Sequence, residues 1–342
     1  MAIDANAYSP KQFTFLIAEQ DDFGTFNLNA TGGGTRDAND WVAVDVDSVG
    51  SPSLNLNQVI EPRTGSRVLQ ATDFFQDKLA KVIEMSVSGT ATTEVLDMLL
   101  SNITNDASVP YAVQTNEPTQ TFVAATDDQQ DMQIFSIAYN SPSSGNTLAF
   151  KDCFCTSLSF NGDMGTEGGR IKFSATFKTG TPPEDLTDAL LTVDTAITAN
   201  NYYMSSWDAD DRIVAGIANC LVNSFTLNIE NDMVFAGASS AGYELGARVG
   251  EVSATADFNI KYDANTDVLF ENFHDQVTGA SEGATLMNDD NDPGDGAFGF
   301  KFDNSVITNV ALSEGDMMNL DVSVKAVGGG IAGASDLFEV AC

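Results

Sequence analysis

Two stretches of this chain follow one plan, and any fold it adopts has to accommodate both. The first reads Lys81-Val-Ile-Glu-Met-Ser-Val-Ser-Gly-Thr-Ala-Thr and continues from Thr93 as Thr-Glu-Val-Leu-Asp-Met-Leu-Leu-Ser-Asn-Ile. The second reads Gly250-Glu-Val-Ser-Ala-Thr-Ala-Asp-Phe-Asn-Ile-Lys-Tyr and continues from Thr266 as Thr-Asp-Val-Leu-Phe-Glu-Asn-Phe-His-Asp-Gln-Val. In each, an alternating segment runs into a short helical pattern opened by Thr-acid-Val-Leu, and further strand patterns follow. A strand-helix-strand block present twice points to a duplicated building unit.

The alternation defines the elements. Ile83, Met85 and Val87 fall on one face of an extended segment, which period 2 makes a half-buried strand. A helix begins at Thr92 or Thr93, with Glu94 near the positive end of its dipole. Val95, Leu96, Leu99, Leu100 and Ile103 give it an apolar stripe, and Asn105, Asp106 and Pro110 end it. Strand patterns resume at Tyr111, at Thr121 to Ala124 and at Met132 to Tyr139. A hairpin follows: Phe154, Leu158 and Phe160 alternate with polar residues. A Gly-rich turn spans 162–169, and Ile171, Phe173, Ala175 and Phe177 alternate with Arg170, Lys172, Ser174, Thr176 and Lys178.

The same reading divides the chain. Residues 1–52 are an N-terminal strand, Phe13-Thr-Phe-Leu-Ile-Ala, followed by a long loop or arm. Residues 53–180 form a first unit. Residues 181–218 form a linker or arm, in which Pro182-Pro183 opens a short helix to about Leu190. Residues 219–328 form a second unit, and 329–342 a C-terminal tail. In the second unit Asn219 to Glu230 pairs with Glu251 to Tyr262, a helix covers 266–277, and Asn304 to Leu312 with Leu320 to Val327 echoes 152–178. The stretch from Asn219 also resembles the one from Asp152. Both units then read hairpin, helix, hairpin. The expected fold is mainly β with short α-helices, in two tandem β-sandwich units.

Charge excludes several functions. The 342 residues carry 49 acids against 15 Lys and Arg, a net charge of −34. That surface repels nucleic-acid phosphate and anionic lipid, since sustained DNA binding relies on Lys and Arg displacing counterions. Asp outnumbers Glu and Lys is scarce, a bias that also suits a salty environment. No apolar run reaches the ~20 residues that span a bilayer, and Met1-Ala-Ile-Asp-Ala-Asn opens no signal peptide. Cys153, Cys155, Cys220 and Cys342 are spaced as neither a disulfide framework nor a zinc site. The expectation is a protein folded in a cytoplasm with reduced thiols.

No constellation assembles an active centre. The single histidine, His274, has no nucleophile elbow or catalytic cysteine context beside it and reads as a helix-surface residue. Asp289-Asp-Asn-Asp-Pro-Gly-Asp-Gly is an oxygen-rich loop. Pro293 falls where a calcium ligand belongs and no Glu closes the loop, so turn chemistry explains it. Asp208, Asp210 and Asp211 beside Trp207 read as a solvated loop. Gly32-Gly-Gly and Gly328-Gly-Gly lack the Lys-Ser/Thr of a phosphate loop. Paired carboxylates with sugar-stacking aromatics are missing too: Trp41 and Trp207 lie in separate loops. The expectation is no enzyme, no cofactor and no metal.

One strand face carries more information. Opposite the core positions lie Glu84, Ser86, Ser88, Ser157, Ser159, Asn161, Ser174 and Thr176 in the first unit. In the second lie Ser224, Thr226, Asn228, Glu230, Glu251, Ser253, Thr255, Asp257, Asp321 and Ser323. Arg170, Lys172, Lys178, Lys261 and Lys325 are the exceptions, mostly toward strand ends. The face reads as a solvated sheet surface, or more sharply as a wall past which a polyanion slides without sticking.

The hairpin-helix-hairpin unit resembles the major tail tube proteins of long-tailed viruses of bacteria or archaea, siphovirus- or myovirus-like. The strands Leu158-Ser-Phe-Asn-Gly-Asp and Ala175-Thr-Phe-Lys-Thr-Gly, and the run Ala256-Asp-Phe-Asn-Ile-Lys-Tyr into Thr266-Asp-Val-Leu, carry the likeness. It covers roughly 53–180 and 219–328 and is one of architecture and texture. The resemblance implies a structural virion protein of the tail, assembled in a host cytoplasm. Its sheets would join between subunits into a ring barrel, and stacked rings would conduct viral DNA during ejection. Its partners would be further copies of itself, other tail proteins and DNA passing without sequence-specific binding, with no membrane. Glu84, Ser86, Ser88, Ser157, Ser159, Asn161, Ser253, Thr255, Asp257, Asp321 and Ser323 would line the lumen. Two units per chain imply a trimeric, pseudo-six-fold ring, whereas a second unit placed outside would leave a hexamer. Loops 31–50 and 61–77, the arm at 199–212 and segment 328–342 are expected at ring-to-ring contacts. A capsid decoration, surface-layer or adhesin protein is the alternative.

Overall fold

The computed structural model describes residues 13–20, 23–24, 26, 41–44, 46–50, 52–54, 58–60, 68, 74–76, 82–91, 99, 121–122, 134–140, 147–186, 193–194, 212–231, 233–239, 242–248, 252–274, 283–287, 299–302, 304–315, 317–327 and 338–341. In chain order the strands are β1 (Thr14–Gln20), β2 (Trp41–Val44), β3 (Val46–Val49), β4 (Ser53–Leu54), β5 (Gln58–Ile60), β6 (Phe74–Gln76), β7 (Ile83–Thr90), β8 (Thr121–Phe122), β9 (Ile134–Asn140), β10 (Thr147–Asp163) and β11 (Lys172–Thr179). They continue as β12 (Glu184–Leu186), β13 (Val193–Asp194), β14 (Val222–Glu230), β15 (Met233–Ser239), β16 (Gly242–Arg248), β17 (Ser253–Lys261), β18 (Ala284–Met287), β19 (Gly299–Phe302), β20 (Ser305–Glu314), β21 (Met318–Ala326) and β22 (Phe338–Ala341). Helix α1 is Val268–His274.

Period-2 patterning builds one long antiparallel sheet. β3 and β4 both pair with β7, and the sheet continues β7, β11, β10, β14, β17, β21, β20. In β7, Ile83, Met85 and Val87 are buried while Glu84 and Ser86 are exposed, as strict alternation requires. The sheet is not closed: among the described residues nothing pairs beyond β20.

Two smaller layers cover its apolar face. The first half of β10 leaves the long sheet and pairs with β9 and β12, in a layer ordered β13, β2, β1, β9, β10. The other layer runs β18, β19, β22, β8. Aromatic contacts tie the layers together. Phe135 on β9 meets Phe177 on β11 edge-on at 6.3 Å. Phe300 on β19 meets Phe225 at 5.8 Å and stacks on Phe258 at 6.2 Å. One continuous core runs through all of these strands, which makes the chain a β-rich sandwich.

The pairing pattern of the sheet occurs twice. The order β3/β4, β7, β11, β10 is followed by β14, β17, β21, β20, with the same chain connectivity. The irregularities recur at matching places. β3 slips against β7 between Val46 and Ser48, and β14 slips against β17 between Val222 and Ser224. β10 slips against β11 between Cys155 and Ser157, and β20 slips against β21 between Ile307 and Asn309. At those last two slips the extra residue makes the same bond: Thr156 Oγ1 donates to the Thr176 carbonyl at 3.3 Å, and Thr308 Oγ1 donates to the Ser323 carbonyl at 3.1 Å. Ala91 N–H to Ile171 O at 3.0 Å has its counterpart in Tyr262 N–H to Met318 O at 3.1 Å. A bulge bends and twists a strand, so the two sets of strands are irregular at matching points.

Several expectations need correction. Glu184–Leu186 is a strand on the edge of β10, not the start of a helix after Pro182-Pro183. Pro fixes φ near −65°, which serves a strand entry as well as a helix start. The segment read as a loop around residue 45 contains β2 and β3, and Trp41 is fully buried. The tail includes β22, whose Phe338 is 2% exposed in the core. The hairpin β15–β16 was not foreseen. The likeness of the stretches from Asp152 and Asn219 is not positional: β10 and β14 are side-by-side partners, and β10 matches β20. Leu99 is helical and buried, while the other positions of the helix expected there, the 289–296 loop and residues 199–211 lie outside the described residues.

Candidate functional site

The long sheet brings all eleven proposed wall residues to one face. Cross-strand register sorts them into rows. One row runs Ser48, Ser88, Ser174, Ser159, Asn228, Thr255, Lys325. The next runs Thr90, Lys172, Asn161, Thr226, Asp257, Ser323, Asn309. Another joins Ser86, Thr176, Ser157, Glu230 and Ser253, while Asn259 opposes Asp321, and Lys178 opposes Glu84. Glu84, Ser86, Asn161, Asp257 and Asp321 are exposed, and the remaining six are half-buried by their neighbours. Residues 46–326 contribute to this surface, so short-range sequence patterns could show only the alternation, not the rows.

Side-chain hydrogen bonds hold part of the face. Asn223 Nδ2 donates to Asn259 Oδ1 at 2.9 Å and to Asn319 Oδ1 at 3.3 Å, and Asn259 Nδ2 donates to Asp321 Oδ1. Lys172 Nζ sits 2.6 Å from Asp47 Oδ2 and 3.3 Å from Thr90 Oγ1. Such exposed pairs contribute only ~0–1 kcal/mol. The acids Glu84, Asp163, Glu230, Asp257 and Asp321 are interleaved with Lys172, Lys178, Lys261 and Lys325 at strand ends. The wall is therefore mixed in sign, less acidic than the whole chain. Its dominant groups are small hydroxyls and amides.

Where β10 changes layers, a buried polar cluster takes the strain. Asp152 has φ 55°, a left-handed conformation that Asp tolerates better than most residues, and is 1% exposed. Its Oδ1 accepts from Gln20 Nε2 at 2.6 Å and from Gly24 N–H at 2.7 Å, and its Oδ2 accepts from Thr181 Oγ1 at 2.8 Å. Gln20 Oε1 in turn accepts from Asp152 N–H at 2.9 Å and Ser136 Oγ at 3.0 Å. These bonds satisfy the carboxylate where water is scarce. They pin the crossing point, which sequence spacing could not reveal because Gln20 and Asp152 lie far apart in the chain.

The thiols and the histidine among the described residues differ in burial. Burial pushes the Cys155 thiol up to about 12 and the Cys220 thiol up to about 11. Burial, then the nearby Asp152 charge, raises Cys153 well above its ordinary range. Buried neutral thiols are poor nucleophiles. His274 is exposed at the end of α1. Upstream of that helix, Thr266 is buried, donating to the Lys261 carbonyl at 3.0 Å and accepting from Asp263 N–H at 2.9 Å. Among the described residues no three His, Cys, Asp or Glu side chains converge on a metal position. A cavity between the layers, lined by Phe15, Val44, Val87, Leu99 and Phe173 among others, measures about 10 Å³ and is apolar. No helix among the described residues is long and apolar enough to cross a membrane.

No protein-family model matches this sequence, and no curated protein matches it. The functional reading rests on the geometry of the face and its strand order.

Proposed function

We propose that the chain is a tail tube protein: two tandem units whose sheets join between copies into a ring barrel, with rings stacking into a conduit for viral DNA. The stagger of the twice-occurring strand order carries this reading. The row from Ser48 crosses Ser88, Ser174 and Ser159 and arrives at Asn228. By bulge position, the counterpart of Ser48 is Ser224, so each set of four strands advances the register by four residues. With ~3.3 Å of rise per residue and ~4.8 Å between strands, that stagger tilts the strands by about 35°, within the range of closed barrels.

Three copies supply twenty-four strands of this sheet. At that tilt and spacing, the backbone radius is about 22 Å, and six copies would give about 45 Å. The smaller barrel, lined by short side chains, leaves room for a DNA duplex. The Ser/Thr/Asn rows offer it no cluster of cations, so phosphate finds neither a strong contact nor a trap. The apolar face is already covered by the two outer layers, which leaves the polar face for the lumen.

Negative-stain electron microscopy of the purified chain, with its solution mass, tests this. Tubes or stacked rings with a central channel and three chains per ring are expected. Dispersed monomers at high concentration and matched salt would refute the conduit and favour a decoration or surface protein.

A further inference from the structure

The chain contains its own junction between the two halves of the long sheet, and the outer edges of that sheet match the two sides of this junction. Inside one copy β10 pairs with β14, with Ser159 opposite Asn228, Asn161 opposite Thr226 and Asp163 opposite Ser224. β20 matches β10 in bulge position and in the Thr308 hydrogen bond, which aligns Phe160 with Leu312, Ser159 with Ala311 and Asp163 with Gly315. β3 and β4 match β14, aligning Ser48 with Ser224 and Ser53 with Asn228.

Burial shows what the second junction lacks. Phe160 faces the core, lies opposite Leu227 of β14 and is 0% exposed. Leu312 occupies the matching core-facing position on β20 and is 51% exposed. Five exposed residues of β20 and its turn follow or precede it: Thr308, Asn309, Glu314, Gly315 and Met317. A strand edge that has no partner among the described residues, beside an exposed core position, invites another strand.

We propose that the outer edge of β20 takes the β3–β4 edge of a second copy of this chain, in the register by which β10 takes β14 within one copy. Ala311 then lies opposite the second copy's Ser53, and Gly315 opposite its Ser48. A further contact follows from the same correspondence. Hairpin β15–β16 lies in chain order between β14 and β17, and it packs on the first half of the chain: Phe235 meets Phe154 at 5.8 Å, and Tyr243 N–H donates to the Gly180 carbonyl at 3.2 Å. Hairpin β5–β6 holds the same place between β4 and β7, and Ile60 on it is 48% exposed. In the second copy it lies over Val306 and Val327 of the first, the counterparts of Phe154 and Gly180. The junction rests on the pairing pattern, not on the conduit role.

Disulfide trapping tests the register. In a Cys342→Ser background, Ala311→Cys and Ser53→Cys chains are mixed and oxidised, since opposed strand positions lie within disulfide reach. Within one copy these residues sit on opposite edges of the sheet, roughly 34 Å apart at ~4.8 Å per strand step, so a bond reports two copies. The expected result is a dimer band from the mixture and a ladder ending at a closed ring from the double variant. Ala311→Cys with Ser48→Cys, about 13 Å out of register at ~3.3 Å per residue, gives none. Absence of the first bond in chains whose engineered thiols still label, or equal bonding in both pairs, overturns the proposal. Leu312→Asp leaves the single copy folded, because the side chain is already half exposed, and raises the concentration needed for assembly at least ~10-fold. An unchanged concentration also overturns it. Bonds formed without tubes remove the conduit and leave the junction standing.

Discussion

Asp152→Ala is the sharpest test of how β10 is held as it changes layers. The substitution removes three accepted bonds, from Gln20, Gly24 and Thr181, at 2.6, 2.7 and 2.8 Å. Gly24 is exposed and turns to water, but Gln20 and Thr181 are 2% and 5% exposed and lose this acceptor where water is scarce. Each such buried donor costs ~1–3 kcal/mol. Ala also tolerates the left-handed φ of 55° less well than Asp, adding about 1 kcal/mol. The loss should therefore total about 3–7 kcal/mol, nearer the lower end because bonds in one cluster do not add independently. Asp152→Asn keeps the shape and an acceptor and should cost about 1–2 kcal/mol, since only the charge-assisted part of the bonds is lost. Asp152→Gly relieves the backbone but still lacks the acceptor, and should fall between the two. Urea unfolding followed by fluorescence of Trp41 and Trp207 reads the order. A chain of this size has a slope near ~3 kcal/mol/M, so Ala should move the midpoint by about 1–2 M. Ala within 1 kcal/mol of wild type, or Asn as damaging as Ala, would refute the idea that this cluster fixes the crossing.

Other outcomes follow from the same packing. Changing Ser157, Ser159 and Thr255 together to Arg should stop genome passage while tubes still form; unchanged infectivity would show that this face is not the lumen. Phe300→Ala empties a site between Phe225, Phe258 and Phe302 and should cost about 3–5 kcal/mol by thermal or chemical unfolding; a loss below 1 kcal/mol would contradict the observed packing. Gly180→Ala places a Cβ against the Tyr243 ring and close to Phe235. It should loosen the β15–β16 hairpin by about 1–3 kcal/mol, read as faster amide exchange there and not in β17. The buried thiols favour their neutral form in the folded chain. Their contribution is fully present below about 9 and is lost as pH rises through about 11 for Cys220 and about 12 for Cys155. Stability should fall across that alkaline window, and alkylation of the folded chain at pH 8 should leave both thiols unmodified.

Much of the strand content could be read from alternation, because one side of each strand meets the core and the other meets water. Ile83, Met85 and Val87, and Phe173, Ala175 and Phe177, announce their faces without further context. That Glu84, Ser159, Thr255 and their companions share one face was legible for the same reason, as was the echo of 152–178 in 304–327. Short strands without alternation were not legible. Glu184-Asp-Leu is a strand only because the first half of β10 offers it an edge, and Phe338 is core only because β19 lies beside β22. Local propensity carries little information when the partner supplies the hydrogen bonds.

The sequence by itself determined that this chain is β-rich and which residues of each strand stand opposite the core. These follow from period and composition, which act over a few residues. Tertiary structure decided which strands are neighbours. It placed β10 beside β14, advanced the register by four residues over four strands, and set Asp152 where one strand serves two layers. Those choices depend on bulges and pairings between residues far apart in the chain, where the hydrogen-bonding partner and not the local pattern selects the arrangement.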